Sequence, residues 1–321
     1  MGLTTGIGWT DATWSPWFGC TKVSAGCKNC YAEVETPVRI ARAHGTELWG
    51  LNGQRQAMSE RHWQVPVRWD KWATEGRCLA CNGRGWSYQS LPDDSSGSSL
   101  TVKSAVDCGQ CNTTGKVAPY WLKVFPSMCD PFEDRPDLID PRHRFLQLIE
   151  ATPNLDWLLL TKRPEKVGDM VPVKWSATGW PSNLWLGTSV EDQENANKRI
   201  PELLKLPARM RFLSCEPLLS EIEFSDVTRR SDYVTALGKP ALSGIGWVII
   251  GGESGTGRRE CELSAITSLA KQCTIAGVLV FVKQDAALKP GHQGRIPDDV
   301  WALKQVPQSP ASTLATVGGI Q

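Results

Sequence analysis

Eleven cysteines stand in the 321-residue chain, and seven of them fall into two groups whose spacing suits metal chemistry. Cys78, Cys81, Cys108 and Cys111 form two C-x2-C knuckles separated by 26 residues. Two such knuckles supply the four thiolates of a closed, tetrahedral zinc site, each pair placed by one tight turn. Glycines just past the knuckles, in CLACNGRG and CGQCNTTG, suit turns that aim backbone amides at thiolate sulfur. The other group, Cys20, Cys27 and Cys30, is a C-x6-C-x2-C run with three ligands. No histidine precedes His44, so a closed zinc site here needs a fourth ligand from farther along the chain. Three thiolates also suit a [4Fe-4S] cube with one exposed iron, open to a chelating molecule such as S-adenosylmethionine, an arrangement that carries radical chemistry.

The remaining cysteines stand singly. Cys129 and Cys215 each follow an apolar run, so either thiol could face a pocket and return a hydrogen atom to a product radical; filling core space is the plainer role. Cys261 and Cys273 fall in a helical pattern and read as packing. An odd cysteine total and an opening, MGLTTGIGWTDATW, without a basic start or apolar stretch fit the reducing cytoplasm. Lys plus Arg is 35 against 34 Asp plus Glu, so bulk charge cannot drive indiscriminate nucleic-acid binding. No apolar run is long enough for a membrane span, and no membrane partner is expected. The four histidines show no paired metal spacing.

The elements that must position these residues follow from hydrophobic pattern. Short apolar runs at 120–125, 155–160, 184–189, 210–214, 246–252 and 278–283 read as strands buried on both faces. Between them PRHRFLQLIEA, EDQENANKRIPELLKL and ELSAITSLAKQCTIAG read as helices. With one more strand near residues 6–18, the expected fold is α/β, a partial (βα)6-7 TIM-like barrel; a doubly wound sheet is the alternative. The expected organisation is a first part of the barrel with the cysteine loop (1–70), an inserted four-cysteine zinc ribbon (71–118), the remainder of the barrel (119–303) and a tail (304–321). Within the insert, LPDDSSGSS reads as a flexible tip, and the tail as a strap or a disordered end.

Polar residues collect after the predicted strands, where such folds place their sites. Lys162 and Arg163 could meet a carboxylate or phosphate. Ser189, Glu191 and Glu216 could bind hydroxyls or an amino group, and Lys283 closes the series. Gly251 and Gly252 would let the backbone approach a cofactor closely, with Glu253 beside them. Fifteen tryptophans are a heavy load; Trp14, Trp17, Trp49, Trp63, Trp69, Trp72 and Trp86 lie near the cysteines, where indoles pack a core or stack on bases. Arg77, Arg84, Lys103 and Lys116 give the ribbon a modest basic surface, suited to nucleic acid or a partner protein.

The block WSPWFGCTKVSAGCKNCYAE, followed by TKRP, GTSVED, EPLL, GGESG and VKQ, resembles a phage-type family of radical S-adenosylmethionine proteins associated with thymidine hypermodification. The likeness spans most of residues 7–285 outside the insert. It implies a radical-type partial barrel, a [4Fe-4S] cluster on Cys20, Cys27 and Cys30, and S-adenosylmethionine on the open iron. The commonest pattern of such enzymes is C-x3-C-x-aromatic-C; here the first gap is six residues and Asn29 precedes the last cysteine, leaving Tyr31 or Trp17 as the aromatic neighbour. The knuckle CLACNGRG is similar to a repeat of the zinc-binding region of J-domain co-chaperones. The implied function is an isomerase acting on an amino-acid-decorated thymidine, most specifically glycyl-thymidine, in DNA or as a modified nucleotide. A one-electron reductase or flavodoxin-like donor is the implied partner. Repair or cleavage of a damaged base and a noncatalytic zinc adaptor are the competing readings.

Overall fold

The computed structural model describes residues 2–3, 5–90, 103–231 and 240–309. Seven parallel strands form one sheet: β1 (Ala12–Thr13), β2 (Leu122–Phe125), β3 (Leu155–Thr161), β4 (Leu184–Ser189), β5 (Met210–Cys215), β6 (Trp247–Gly251) and β7 (Leu279–Gln284). Their spatial order is their chain order, without a reversal. A doubly wound sheet reverses direction at a switch point, so that alternative is excluded. The sheet curls into an α/β half-barrel compatible with a TIM-like barrel.

The strands are nearly continuous apolar runs because both faces are covered. On the outer face Trp157, Leu159, Leu186, Leu213, Val248 and Val280 join one core with Phe145, Ile200 and Leu269 of the surrounding helices. Those helices span Ile139–Ala151, Gln193–Lys205 and Leu263–Ile275, close to the amphipathic segments read from sequence. On the inner face Phe125, Leu158, Trp185, Phe212, Trp247, Ile249 and Phe281 form a second, largely aromatic cluster capped by Trp9. Gly187 makes room within it: a Cβ there would lie 2.4 Å from the Phe212 ring.

The insert is narrower than 71–118. The helix Glu60–Thr74 continues past its expected edge, and the neck closes at an antiparallel bridge between Arg77 and Lys116. Within it Trp86–Ser90 pairs with Lys103–Asp107 as a hairpin; the LPDDSSGSS tip lies outside the described residues. The first six residues of the tail form a strap. Gln305 exchanges hydrogen bonds with the Val280 backbone, and Ser309 donates to Asp156 on β3. Residues 310–321 lie outside the described residues. Among the described residues, no helix is long and apolar enough to cross a membrane.

Candidate functional site

In a parallel sheet all C-terminal strand ends share one rim, and the cysteine loop after β1 lies across it. Gly19 turns the chain into the loop at φ +112°, and a Cβ there would lie 2.4 Å from the Leu48 carbonyl. Arg55, buried in an ion pair with Glu133 at 2.6 Å, pins the entry by donating to Thr21 Oγ1 at 2.7 Å. Cys20, Cys27 and Cys30 then line one cavity of about 130 Å³. Its far wall is made by Cys129 after β2, Lys162 and Arg163 after β3, and Ser189 of β4, with Trp49 and Tyr31 from the loop side.

Each wall residue has a definite task. Arg163 donates to Asp130 Oδ2 at 2.6 Å and to the Thr21 carbonyl at 2.8 Å, so its charge is spent holding the loop to β3. Asp130 also accepts from Thr161 Oγ1 and the Lys162 amide. Lys162 Nζ donates to Ser189 Oγ at 3.1 Å and makes no ion pair among the described residues; its charge acts on Cys27, Cys30 and the Glu191 carboxylate. Burial raises the Cys27 thiol, but Lys162 and the Val23 and Ser24 hydrogen bonds outweigh it and bring the value below the ordinary one. At Cys30 burial wins over Lys162, and burial pushes Cys20 to about 12, with Asp130 adding to the rise. A polar cleft of about 410 Å³, lined by Ser24, Lys162, Lys166, Asn195 and Lys198 among others, adjoins the same loop.

The insert holds a second candidate centre. The ligand atoms of Cys78, Cys81, Cys108 and Cys111 all lie within 4.8 Å of one another, so this buried group could hold a metal ion. Gly85 and Gly115 amides each donate to a thiol, Cys81 and Cys111 respectively, at 3.3 Å, as the knuckle glycines suggest.

One protein family, described as proteins of unknown function (DUF5131), matches residues 4–296. The chain belongs to the DUF5131 family. No curated protein and no solved structure matches the chain.

In this DUF5131 protein several rim residues read from sequence serve the loop itself. Glu191 is fully buried, accepts from Arg199 at 2.8 Å and takes the Gly26 amide at 3.3 Å. Glu253 accepts from Asn29 and Arg259. Glu216 and Lys283 form an ion pair with each other, across the rim between β5 and β7. Gly252 is needed for a different approach than expected: a Cβ there would meet the Ala286 amide at 2.6 Å, within the sheet edge. Gly251 accepts from the Leu218 amide there as well. Cys215 does not face the cavity. Successive strand residues alternate faces, and Cys215 falls on the outer one, in the core near Cys273. Cys129 does face it, and burial raises its thiol well above the usual range. Cys261 and Cys273 are core residues, as read.

Of the seven tryptophans, Trp49 lines the cavity, and Trp14, Trp17, Trp63 and Trp69 are buried. Trp72 and Trp86 lie under the guanidinium groups of Arg77 and Arg84 at 4.4 and 4.7 Å. The residues that sequence reading missed are Arg55, Asp130, Arg199 and Arg259. Their signal was faint, because an arginine or aspartate in a polar loop, or an arginine among the charged residues of a helix as at Arg199, looks the same whether it is solvated or clasped.

Proposed function

We propose that this protein is a radical S-adenosylmethionine enzyme that modifies a nucleobase, most specifically an isomerase rearranging glycyl-thymidine in phage DNA. The observation that carries the chemistry is the gathering of Cys20, Cys27 and Cys30 on one cavity beside Lys162, at the strand-end rim of a parallel half-barrel. The donor set fits a three-cysteine [4Fe-4S] cluster: three half-buried thiols from one loop, with Lys162 favouring the thiolate forms of Cys27 and Cys30. With S-adenosylmethionine bound and one electron from a flavodoxin-like donor, such a cluster would supply chemistry able to take hydrogen from an unactivated C–H bond.

The chain's own residues divide the remaining work. Lys162 and Ser189 offer a cation and a hydroxyl to a carboxylate or phosphate entering the cavity. Phe125, Leu160 and Trp49 supply the apolar wall that keeps water from a reactive intermediate. Cys129 is the thiol at that wall able to return a hydrogen atom to a product radical, its thiyl then regaining an electron from the one-electron donor and a proton, whereas Cys215 is too far into the outer core to serve. The Glu216–Lys283 pair, on the same rim but outside the lining of that cavity, is the polar group for a ribose or a larger substrate reaching past it. The choice of glycyl-thymidine rests on the resemblance of the motif blocks, as do the expected DNA substrate, the flavodoxin-like donor and the cytoplasmic setting.

For the insert we propose a structural zinc ribbon. A tetrahedron with Zn–S bonds of about 2.3 Å has sulfur–sulfur edges of about 3.8 Å. Cys78 and Cys108 Sγ stand 3.8 Å apart, and Cys81 and Cys111 Sγ 3.7 Å.

Anaerobic reconstitution tests the reading. The expected protein is brown, with about four irons and one zinc, and makes 5′-deoxyadenosine when reduced with S-adenosylmethionine. Cys27→Ala should lose both colour and product. Nucleoside mass spectrometry of glycyl-thymidine DNA should show an isomer of unchanged mass. Restored thymine from damaged DNA would favour base repair instead, and colourless protein with two zincs would favour the adaptor.

A further inference from the structure

The two departures of the cysteine loop from the commonest radical pattern, a six-residue first gap and Asn29 before the last cysteine, both have a physical use in this fold. Asn29 Nδ2 donates to Glu253 Oε2 and to the Gly257 carbonyl, each at 2.8 Å. Glu253, only 5% exposed, takes three further bonds from Arg259: the backbone amide at 2.8 Å, Nε at 3.1 Å and Nη2 at 2.7 Å. Arg259 Nη1 then reaches back to the Ala25 carbonyl at 3.0 Å. On the opposite flank the Gly26 amide donates to Glu191 Oε1, and a Cβ at Gly26 would stand 3.0 Å from that carboxyl. Arg199 in turn fixes Glu191.

We infer that Glu191 and Glu253 are positioning residues that clasp the Cys20–Cys30 loop from the ends of β4 and β6, so that Cys27 and Cys30 stand at the cavity before any cofactor arrives. The extra residues of the first gap are what the clasp grips: Ala25 offers its carbonyl and Gly26 its amide and its lack of a side chain. Asn29 stands at the position that an aromatic holds in the commonest radical pattern, and here it serves as a tether. A loop held by charge-assisted hydrogen bonds at both turns has lost its freedom on folding, and a ligand binding to it has less ordering left to impose. The identity of the cofactor rests on the proposed function; the preformed loop does not.

The test is timed iodoacetamide alkylation of full-length protein purified without iron, with mass spectrometry resolving each cysteine. In Asn29→Ala and in Glu253→Ala, Cys27 and Cys30 should label at least tenfold faster than in the wild type. Glu253→Gln, which keeps an acceptor for Asn29, should fall between. Cys215 and Cys273 in the distant core should not change. After iron and sulfide reconstitution and desalting, both alanine variants should retain less than half of the wild-type iron. Wild-type labelling rates at Cys27 and Cys30 in both variants would overturn the proposal, and so would an equal acceleration at Cys215 and Cys273, which reports general loosening. A wild type that holds no iron while its variants still expose Cys27 and Cys30 would remove the cluster and leave the clasp supported.

Discussion

Replacing Asp156 by asparagine should make the protein's stability less sensitive to pH. Asp156 lies on β3, 1% exposed; Oδ1 accepts from Ser309 at 3.3 Å and Oδ2 has no hydrogen-bond partner among the described residues. Burial, helped by Asp11 and offset in part by Ser309, Lys123 and the nearby Trp185 indole, raises its carboxyl from 3.8 to about 6. The folded state therefore holds a proton that the unfolded chain releases. Stability is fully present below about pH 4 and is lost as pH rises through about 6. At about 1.4 kcal/mol per pH unit of difference, the loss amounts to about 3 kcal/mol by neutral pH. An asparagine side chain cannot ionise, so Asp156→Asn carries no such loss. The assay is urea unfolding of both proteins from pH 4 to 7.5. The asparagine amide brings its own pH-independent effect on hydrogen bonding, so the informative quantity is the change in the stability difference across that range. It should move by about 3 kcal/mol in favour of the variant, or roughly 5 °C in midpoint temperature for a chain of this size. A difference that stays constant with pH, or moves against the variant, would refute the reasoning.

Three further outcomes are expected. Gly187→Ala should destabilise by about 1–3 kcal/mol through overpacking against Phe212, with Phe212→Leu in the same chain restoring much of the loss in thermal unfolding. Arg199→Met should cost about 3–5 kcal/mol in denaturant unfolding, since it strands the fully buried Glu191 carboxylate without its ion-pair partner. Cys81→Ser should abolish metal binding at the four-cysteine group, read by elemental analysis as loss of the proposed zinc, and raise hydrogen exchange within 78–90 and 103–116, while exchange in β3 and β4 stays as in the wild type.

The strands of the half-barrel were legible because burial on both faces leaves a mark in every residue: LWLGTS at 184–189 is the strand Leu184–Ser189 without a shift of boundary. Strand β1 left a weaker mark, two residues within a polar and aromatic stretch, and its span could only be bracketed. The helix Glu60–Thr74 ran past the expected insert edge because its Trp63, Trp69 and Ala73 bury one face while Lys71 faces solvent, and that burial shows only in the packed fold. The four-cysteine group was legible from spacing, since two knuckles constrain their own sulfur atoms locally.

The rim was another matter. Sequence supplied the types of Glu191, Glu253, Lys162 and Arg163 and their places after strands, but a carboxylate reads the same whether it awaits a ligand or grips a backbone amide. Only the packed sheet shows that Glu191 and Glu253 reach back to Gly26 and Asn29, 165 and 224 residues away in the chain. The same applies to the single cysteines: Cys129 and Cys215 follow strands alike, yet one faces the cavity and the other the helices. What the sequence determined by itself were the properties set by near neighbours: strand and helix periodicity, knuckle spacing and the three-cysteine run. Tertiary structure decided which side chains meet, because a hydrogen bond between remote residues depends on strand register and on which face of the sheet each residue takes, and neither is written in any short segment.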